Sequence, residues 1–172
     1  MRKLYRALNE TLDLNEAFKL IREVGCEVGV DLGYEKYLRA LEHARRVAGE
    51  YEVKPRVYVC MSHPLYARRY PSLQCLYVEE CGCTCINKML TGNPVNQEEL
   101  SRLSPDVIVI EPFFKATRSF FIEEARKLGV KAPAIDRGFV FKVPREYGFL
   151  SRMYLMLEYI AGVIEYCKRS LS

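Results

Sequence analysis

Apolar residues recur every three or four positions in two segments near the start of the sequence, which is the spacing of an amphipathic helix. The first covers residues 13–25, and Asp13, with an acidic residue three positions later, is typical of a helix start. The second covers residues 34–51 and carries charged residues on its other side. We therefore expect residues 1–53 to form an N-terminal helical segment with one or two helices.

Short runs of β-branched and other apolar residues follow, and helical segments separate them. Strands are expected at residues 56–60, 104–110 and 132–135. Helices are expected at residues 72–80, 96–103, 119–128 and 148–171. Strands that alternate with helices form a parallel sheet with helices on both faces. The fold class predicted for residues 54–172 is therefore α/β, a three-layer α/β/α lobe with a mostly parallel Rossmann-like sheet.

Ligands of such sheets bind at the carboxyl ends of the strands. The predicted strands place three loops at that end, at residues 61–71, 111–118 and 136–145, with the cysteine-rich segment 81–85 beside them. In the first of these loops, Tyr66, Arg68 and Arg69 suit a ligand that carries a carboxylate or a phosphate, because a guanidinium offers a planar fork of donors. His63 can act there as an axial metal ligand or an acid–base group, or it can cap the local backbone.

The composition narrows the range of partners. The 172 residues carry a formal net charge of only +4, which is too small to favour nucleic acid. No apolar run approaches the length of a membrane span, so we expect no direct membrane insertion. The basic opening Met1–Arg6 has no apolar stretch behind it, and we expect a cytoplasmic location. Glu outnumbers Asp and Arg outnumbers Lys, a bias that resembles thermophile composition.

Four of the seven cysteines lie close together, in the pattern Cys75-x5-Cys81-x-Cys83-x-Cys85. Thiolates bind soft metals, so these four are candidate ligands of a zinc ion or an iron–sulfur cluster. Convergence on one ion requires an irregular backbone, which Gly82 favours, but the spacing is atypical of zinc sites. A disulfide between two of them, or packing of buried thiols, explains the same residues.

One longer segment is similar to a known family. Residues 95–110 read Val-Asn-Gln-Glu-Glu-Leu-Ser-Arg-Leu-Ser-Pro-Asp-Val-Ile-Val-Ile, which resembles a helix and strand of the class III substrate-binding proteins of ABC importers for cobalamin, haem and iron-siderophores. The segments 20–48, 54–59, 80–87 and 148–161 resemble the flanking parts of that family in the same order. The resemblance covers residues 14–165 and implies the C-terminal lobe, without the N-terminal lobe.

The resemblance implies further site residues. The loop after the Pro-Asp strand faces the ligand in that family, where aromatic residues stack on flat macrocycles, so Phe113 and Phe114 are expected to do so beside Arg118. Arg137 is expected on the same rim. The ligand would be a bound metal chelate, a corrinoid or another anionic small molecule. Because the family binds between two lobes, a homodimer or a protein that supplies the missing lobe is expected to complete the cleft.

Two features limit the resemblance. The family docks on its permease through an acidic residue near the helix after the first strand, whereas residues 62–78 contain no Asp or Glu and carry Arg68 and Arg69. This puts ordinary transporter docking in doubt. The sequence contains no nucleophile elbow, Walker loop or dinucleotide fingerprint, so it favours a binding module over an enzyme. The alternative is a cysteine-cluster metal or iron–sulfur protein with a redox or cofactor-handling role.

Overall fold

A computed structural model describes residues 13–112, 115–149 and 152–172. Four parallel strands form one sheet in the order β2-β1-β3-β4. The strands are β1 (Arg56–Cys60), β2 (Thr84–Cys85), β3 (Val107–Ile110) and β4 (Val140–Lys142). Val57 pairs with Val107 and Ile108 pairs with Val140, which fixes the register of the three longer strands.

Helices cover both faces of this sheet. They are α1 (Leu14–Val28), α2 (Tyr34–Glu50), α3 (Leu73–Glu80), α4 (Gln97–Leu103), α5 (Arg118–Lys127), α6 (Pro133–Arg137) and α7 (Met153–Leu171). The core has two parts, one where α1, α2, α3 and α7 pack on the sheet and one where α4, α5 and α6 pack on its other face. The predicted three-layer α/β/α fold with N-terminal helices is therefore confirmed.

The two parts of the core follow from the alternation of side chains along each strand. Val57 and Val59 of β1 face the first helical layer, whereas Tyr58 and Cys60 face the second. All four are completely buried. Strands that are buried on both faces read as continuous apolar runs, which is why the sequence marked β1 and β3 clearly.

The third predicted strand is wrong. Residues 132–135 contribute to the short helix α6, and the strand lies later, at Val140–Lys142. Pro133 occupies the start of α6, where its missing N–H costs no hydrogen bond, and Gly138 ends the helix in a left-handed conformation. A buried apolar run of four residues fits a helix turn as well as a strand, so its burial misled the prediction.

Helices α2 and α7 are joined by a polar contact centred on His43. Its Nδ1 lies 2.7 Å from Glu158 and its Nε2 lies 3.4 Å from Glu165. Arg46 and Arg169 also contact Glu165. Residues of the N-terminal helices share one core with the sheet, and the domain boundary at residues 53/54 stays a prediction.

Strand β2 is only two residues long, and a side chain replaces its hydrogen bonds beyond that point. The Asn87 amide donates to the carbonyl of Val59 at 2.7 Å and accepts from the N–H of Val59 at 3.0 Å. It also donates to the carbonyl of Arg68 at 2.7 Å. Asn87 thereby satisfies the edge of β1 and holds the loop that follows it. Within the described residues, no helix is long and apolar enough to cross a membrane.

Candidate ligand-binding site

The sheet has a topological switch point between β1 and β3. From β1 the chain proceeds to β2 on one side, and from β2 it crosses to β3 on the other side. The loops that leave neighbouring strands therefore diverge and open a crevice at the carboxyl ends, where ligands of such folds bind. A cavity of about 630 Å³ lies at this point. This strand-end pocket is lined by Ser62, His63, Lys115, Ala116, Thr117 and Phe120.

His63 is oriented by its own loop. Its Nδ1 accepts the backbone N–H of Leu65 at 3.2 Å, and its ring contacts Tyr66 edge to face at 5.4 Å between centroids. A nitrogen that accepts a hydrogen bond carries no proton, so the neutral ring holds its proton on Nε2. Metal-binding histidines instead donate their second N–H to an acceptor. His63 is thus prepared to donate a hydrogen bond from Nε2 to a ligand oxygen rather than to coordinate a metal.

The opposite wall supplies a charge, a hydroxyl and an aromatic ring. Lys115 is exposed and forms no ion pair with any residue that the structure describes. Thr117 caps α5 by accepting the N–H of Phe120 at 3.2 Å, which leaves its hydroxyl proton able to donate elsewhere. The side chain of Phe120 is half exposed. The pocket can therefore hold an anionic group against His63 and Lys115 and an apolar body against Phe120.

A buried ionic network lies directly after β3. The carboxylate of Glu111 is almost fully buried and lies 3.2 Å from Nε of Arg68 and 3.2 Å from the amide nitrogen of Gln74. Its backbone accepts from the ammonium of Lys142 and donates to the carbonyl of Cys60. Glu111 therefore connects the ends of β1, β3 and β4.

Burial dominates the protonation of this network. Desolvation raises the pKa of Glu111 above its ordinary value, although Arg68 and Lys142 act to lower it. Desolvation also lowers the pKa of Lys142. The pKa of the Cys60 thiol is raised by its complete burial and by the Glu111 carboxylate. At neutral pH the Cys60 thiol is therefore protonated, which makes it a packing group rather than a nucleophile.

The structure does not assemble the four-cysteine metal site that the spacing suggested. Cys85 forms a side-chain hydrogen bond with Cys75. This hydrogen bond is the main cause, and burial the second, that raises the pKa of the Cys85 thiol. Cys81 and Cys83 lie apart from that pair, near the buried ammonium of Lys168, and burial raises the pKa of Cys83 to about 12. Within the described residues no group of three or more potential ligands has the geometry to hold a metal ion. The four thiols instead fill the core beneath α2, α3 and α7.

Other predicted site residues lie elsewhere. Arg118 donates to the carbonyl of Gly138 at 2.6 Å, so its guanidinium is directed toward the amino end of β4 and away from the strand-end pocket. Arg137 ends α6 and also lies at the amino end of the sheet, because the strand assigned before it is a helix. This corrects the placement of Arg137 on the carboxyl-end rim. Arg118 begins α5 beside Thr117 of the strand-end pocket, and its expected contact with a ligand stays a prediction. Phe113 and Phe114 lie outside the described residues.

Arg68 and Arg69 line a second cavity of about 430 Å³ at the β2 side of the sheet. This edge pocket is lined by Ala67, Arg68, Arg69, Tyr70, Asn87, Lys88, Leu90, Thr91, Gly92 and Asn93. The predicted basic loop is thus divided, with His63 in the strand-end pocket and the two arginines in the edge pocket. Tyr66, which is nearly half exposed, packs against His63.

The sequence analysis did not identify the polar network at the ends of β1, β3 and β4. Glu111 and Gln74 gave a usable signal, since each is a polar residue in an otherwise apolar run. Asn87 gave a weaker one, because an asparagine after a strand usually indicates only a turn. Lys115 and Thr117 lie inside the predicted loop at residues 111–118, where Phe113 and Phe114 are the more conspicuous residues.

No protein-family model matches the sequence, and no curated protein matches it. Solved structures are similar in fold. One is Helicobacter pylori CeuE in a Ni-His complex, with a TM-score of 0.68, 13% identity, and coverage of 89% of this chain and 52% of that one. Another is the periplasmic heme-binding protein RhuT from Roseiflexus sp. RS-1, with a TM-score of 0.68, 13% identity, and coverage of 91% and 64%. A third is a periplasmic heme-binding protein from Pseudomonas aeruginosa, with a TM-score of 0.64, 18% identity, and coverage of 90% and 61%.

The chain has the fold of one lobe of a periplasmic substrate-binding protein. It spans about half to two thirds of the length of the structures that it matches. The resemblance found in the sequence is therefore confirmed at the level of fold. Sequence identities below one fifth show a shared fold alone, so these structures do not identify a ligand of this chain.

Proposed function

We propose that this lobe is a binding module that holds a small anionic ligand with an apolar body in the strand-end pocket. The observation that carries the proposal is the convergence of His63 Nε2–H, the Lys115 ammonium and the Thr117 hydroxyl around one cavity at the switch point. Phe120 supplies the apolar wall. A few polar groups that converge in a largely apolar pocket are the usual arrangement of a small-molecule site.

Haem fits this description best because it combines two carboxylates with a broad apolar surface. A corrinoid shares the broad ring but carries amides, and a metal–histidine chelate shares only the carboxylates. Two of the similar structures described above are heme-binding proteins and a third contains Ni-His, which supports the same class of ligand. In this proposal the protein binds the ligand's acidic edge through His63 and Lys115. The metal is carried by the ligand, since His63 is oriented to donate a hydrogen bond.

A single lobe covers only one face of such a ligand, and an open pocket binds more weakly than a closed cleft. We therefore include in the proposal that a second copy of the lobe, or a protein that supplies the other lobe, closes over the ligand. A cytoplasmic location also belongs to the proposal, because seven cysteines that are all free suit a reducing compartment.

The test is a titration of the purified protein with hemin, with Ni(II)–histidine and with cyanocobalamin, followed by calorimetry and native mass spectrometry. We expect saturable binding of one of them that Lys115→Ala weakens about tenfold, since one charge-assisted hydrogen bond is worth ~1.5 kcal/mol or more. Lys131→Ala is the matched control, because Lys131 is equally exposed but lies near the amino end of β3.

The stoichiometry of the complex and the affinities of the two variants test separate parts of the proposal. Two chains per ligand support closure by a second copy, whereas a complex of one chain with one ligand contradicts the homodimer. Loss of affinity in Lys115→Ala but not in Lys131→Ala supports the strand-end pocket. Absence of saturable binding for all three ligands, or equal effects of the two substitutions, contradicts the proposed site.

A further inference from the structure

We propose that the edge pocket is a second binding site, which takes a phosphoryl group such as that of a phosphate ester. This inference goes beyond the proposed function, because the edge pocket and the strand-end pocket share no lining residue. Its walls are the segments that follow β1 and β2, so it also opens near the carboxyl end of the sheet.

The first wall is held rigidly before any ligand binds. The segment at Ala67 and Arg68 runs back along β1, where the N–H of Arg68 donates to Val59 at 2.9 Å. Asn87 binds the carbonyl of Arg68, and Asn93 binds both the N–H and the carbonyl of Ala67 at 3.1 Å. Two amide side chains thus join the two walls. A site that is already ordered loses less conformational entropy on binding.

Basic groups reach the pocket from both walls. Arg68 and Arg69 come from the first wall and Lys88 from the second. The Nε of Arg68 is fixed by the buried carboxylate of Glu111 at 3.2 Å, which orients the guanidinium. Arg69 is exposed and forms no ion pair with any residue in the described part of the chain. It is therefore the cation that most readily exchanges water for an anion.

Three carboxylates lie around the edge pocket, and none of them lines it among the described residues. Glu111 holds Arg68, and Glu79 holds Lys88 at 2.6 Å and the Tyr70 hydroxyl at 3.1 Å. Glu99 accepts the N–H and hydroxyl of Thr91. Each carboxylate therefore orients a group of the wall from behind. This arrangement positions donors and leaves the charge of Arg69 uncompensated.

The placement of the cations favours a phosphoryl group over a carboxylate. A carboxylate presents two oxygens in one plane, whereas a phosphoryl group presents oxygens in several directions and can contact both walls at once. Arginine and lysine are the usual partners of phosphate, the first through its fork and the second as a point charge. A cavity of about 430 Å³ is within the size range of small-molecule sites and can hold the group together with part of its ester.

The test is calorimetric titration of the whole protein with inorganic phosphate and with pyrophosphate at fixed ionic strength. We expect one site per chain, with pyrophosphate bound more tightly than phosphate, and a loss of at least tenfold in affinity for Arg69→Ala. Arg102→Ala is the matched control, since Arg102 is also exposed and forms no ion pair with the described residues. Sulfate at the same concentration measures competition by an anion of similar shape.

Equal affinities in Arg69→Ala and Arg102→Ala, or no saturable binding by either anion, would overturn the proposal. The variant Lys115→Ala separates this site from the strand-end pocket. Unchanged pyrophosphate affinity in that variant supports two independent sites, and a matching loss of affinity shows that the anion binds in the strand-end pocket instead. Circular dichroism of Arg69→Ala confirms that the variant is folded.

Discussion

Asn87 provides the sharpest test of how the edge of the sheet is held. In Asn87→Leu the side chain keeps its branching but loses its bonds to the N–H and carbonyl of Val59 and to the carbonyl of Arg68. The carbonyl of Val59 retains the N–H of Arg68 as a donor, whereas the N–H of Val59 loses the side-chain acceptor that Asn87 supplies beyond the end of β2. Val59 is completely buried, so water cannot replace the lost acceptor.

The expected loss of stability follows from the backbone groups of Val59 and Arg68 that lose a partner. A buried orphaned N–H costs about 1–3 kcal/mol, and the carbonyl of Arg68 adds about 1 kcal/mol. The greater apolarity of leucine returns about 1 kcal/mol. We therefore expect Asn87→Leu to lower the free energy of unfolding by about 1–3 kcal/mol, a large part of the ~5–15 kcal/mol that stabilises a domain.

Guanidinium denaturation followed by far-UV circular dichroism measures this difference. Asn93→Leu is the matched control, because Asn93 makes the same pair of bonds to Ala67 but is exposed, so water can replace it. It should cost less than about 1 kcal/mol. The reasoning is refuted if both variants lose the same stability. A loss below about 1 kcal/mol in Asn87→Leu would refute it as well.

Two further predictions concern titratable groups. Among the seven cysteines only Cys26 is exposed. Burial raises the pKa of Cys83 and Cys167 to about 12. A disulfide reagent at pH 7.5 should therefore modify one thiol rapidly and the other six only on unfolding. Cys26→Ser should remove the rapid phase, and more than one rapid thiol in the native protein would contradict the buried placement. The raised pKa of Glu111 means that the folded protein binds this proton more tightly than the unfolded chain, so its contribution to stability falls as pH rises from about 4.5 through the raised pKa. Denaturation midpoints between pH 4 and pH 8 should show a weaker decline for Glu111→Gln, and an identical decline would show that other groups cause it.

The strands and helices with a single clear period were predictable. Both N-terminal helices and the apolar strands β1 and β3 lie where the pattern placed them, because helical spacing and continuous burial leave direct traces in a sequence. The strand predicted at residues 132–135 was wrong for the converse reason. Their apolar character reports burial, and burial alone does not distinguish a short strand from one turn of helix. That error moved Arg137 to the wrong end of the sheet.

The sequence by itself determined the layered α/β architecture and the likeness to one lobe of a substrate-binding protein, since both depend on local periodicity and on the order of elements. It also located the loops after β1 and β3. Only the tertiary structure decided which side chains of those loops meet. His63 joins Lys115 rather than the two arginines, and Glu111 is buried against Arg68, because these contacts depend on register and on loop geometry that no local pattern encodes. The cysteines show the same limit, since four thiols that are close in sequence pack into the same part of the core, and within the described residues they form no group that could hold a metal ion.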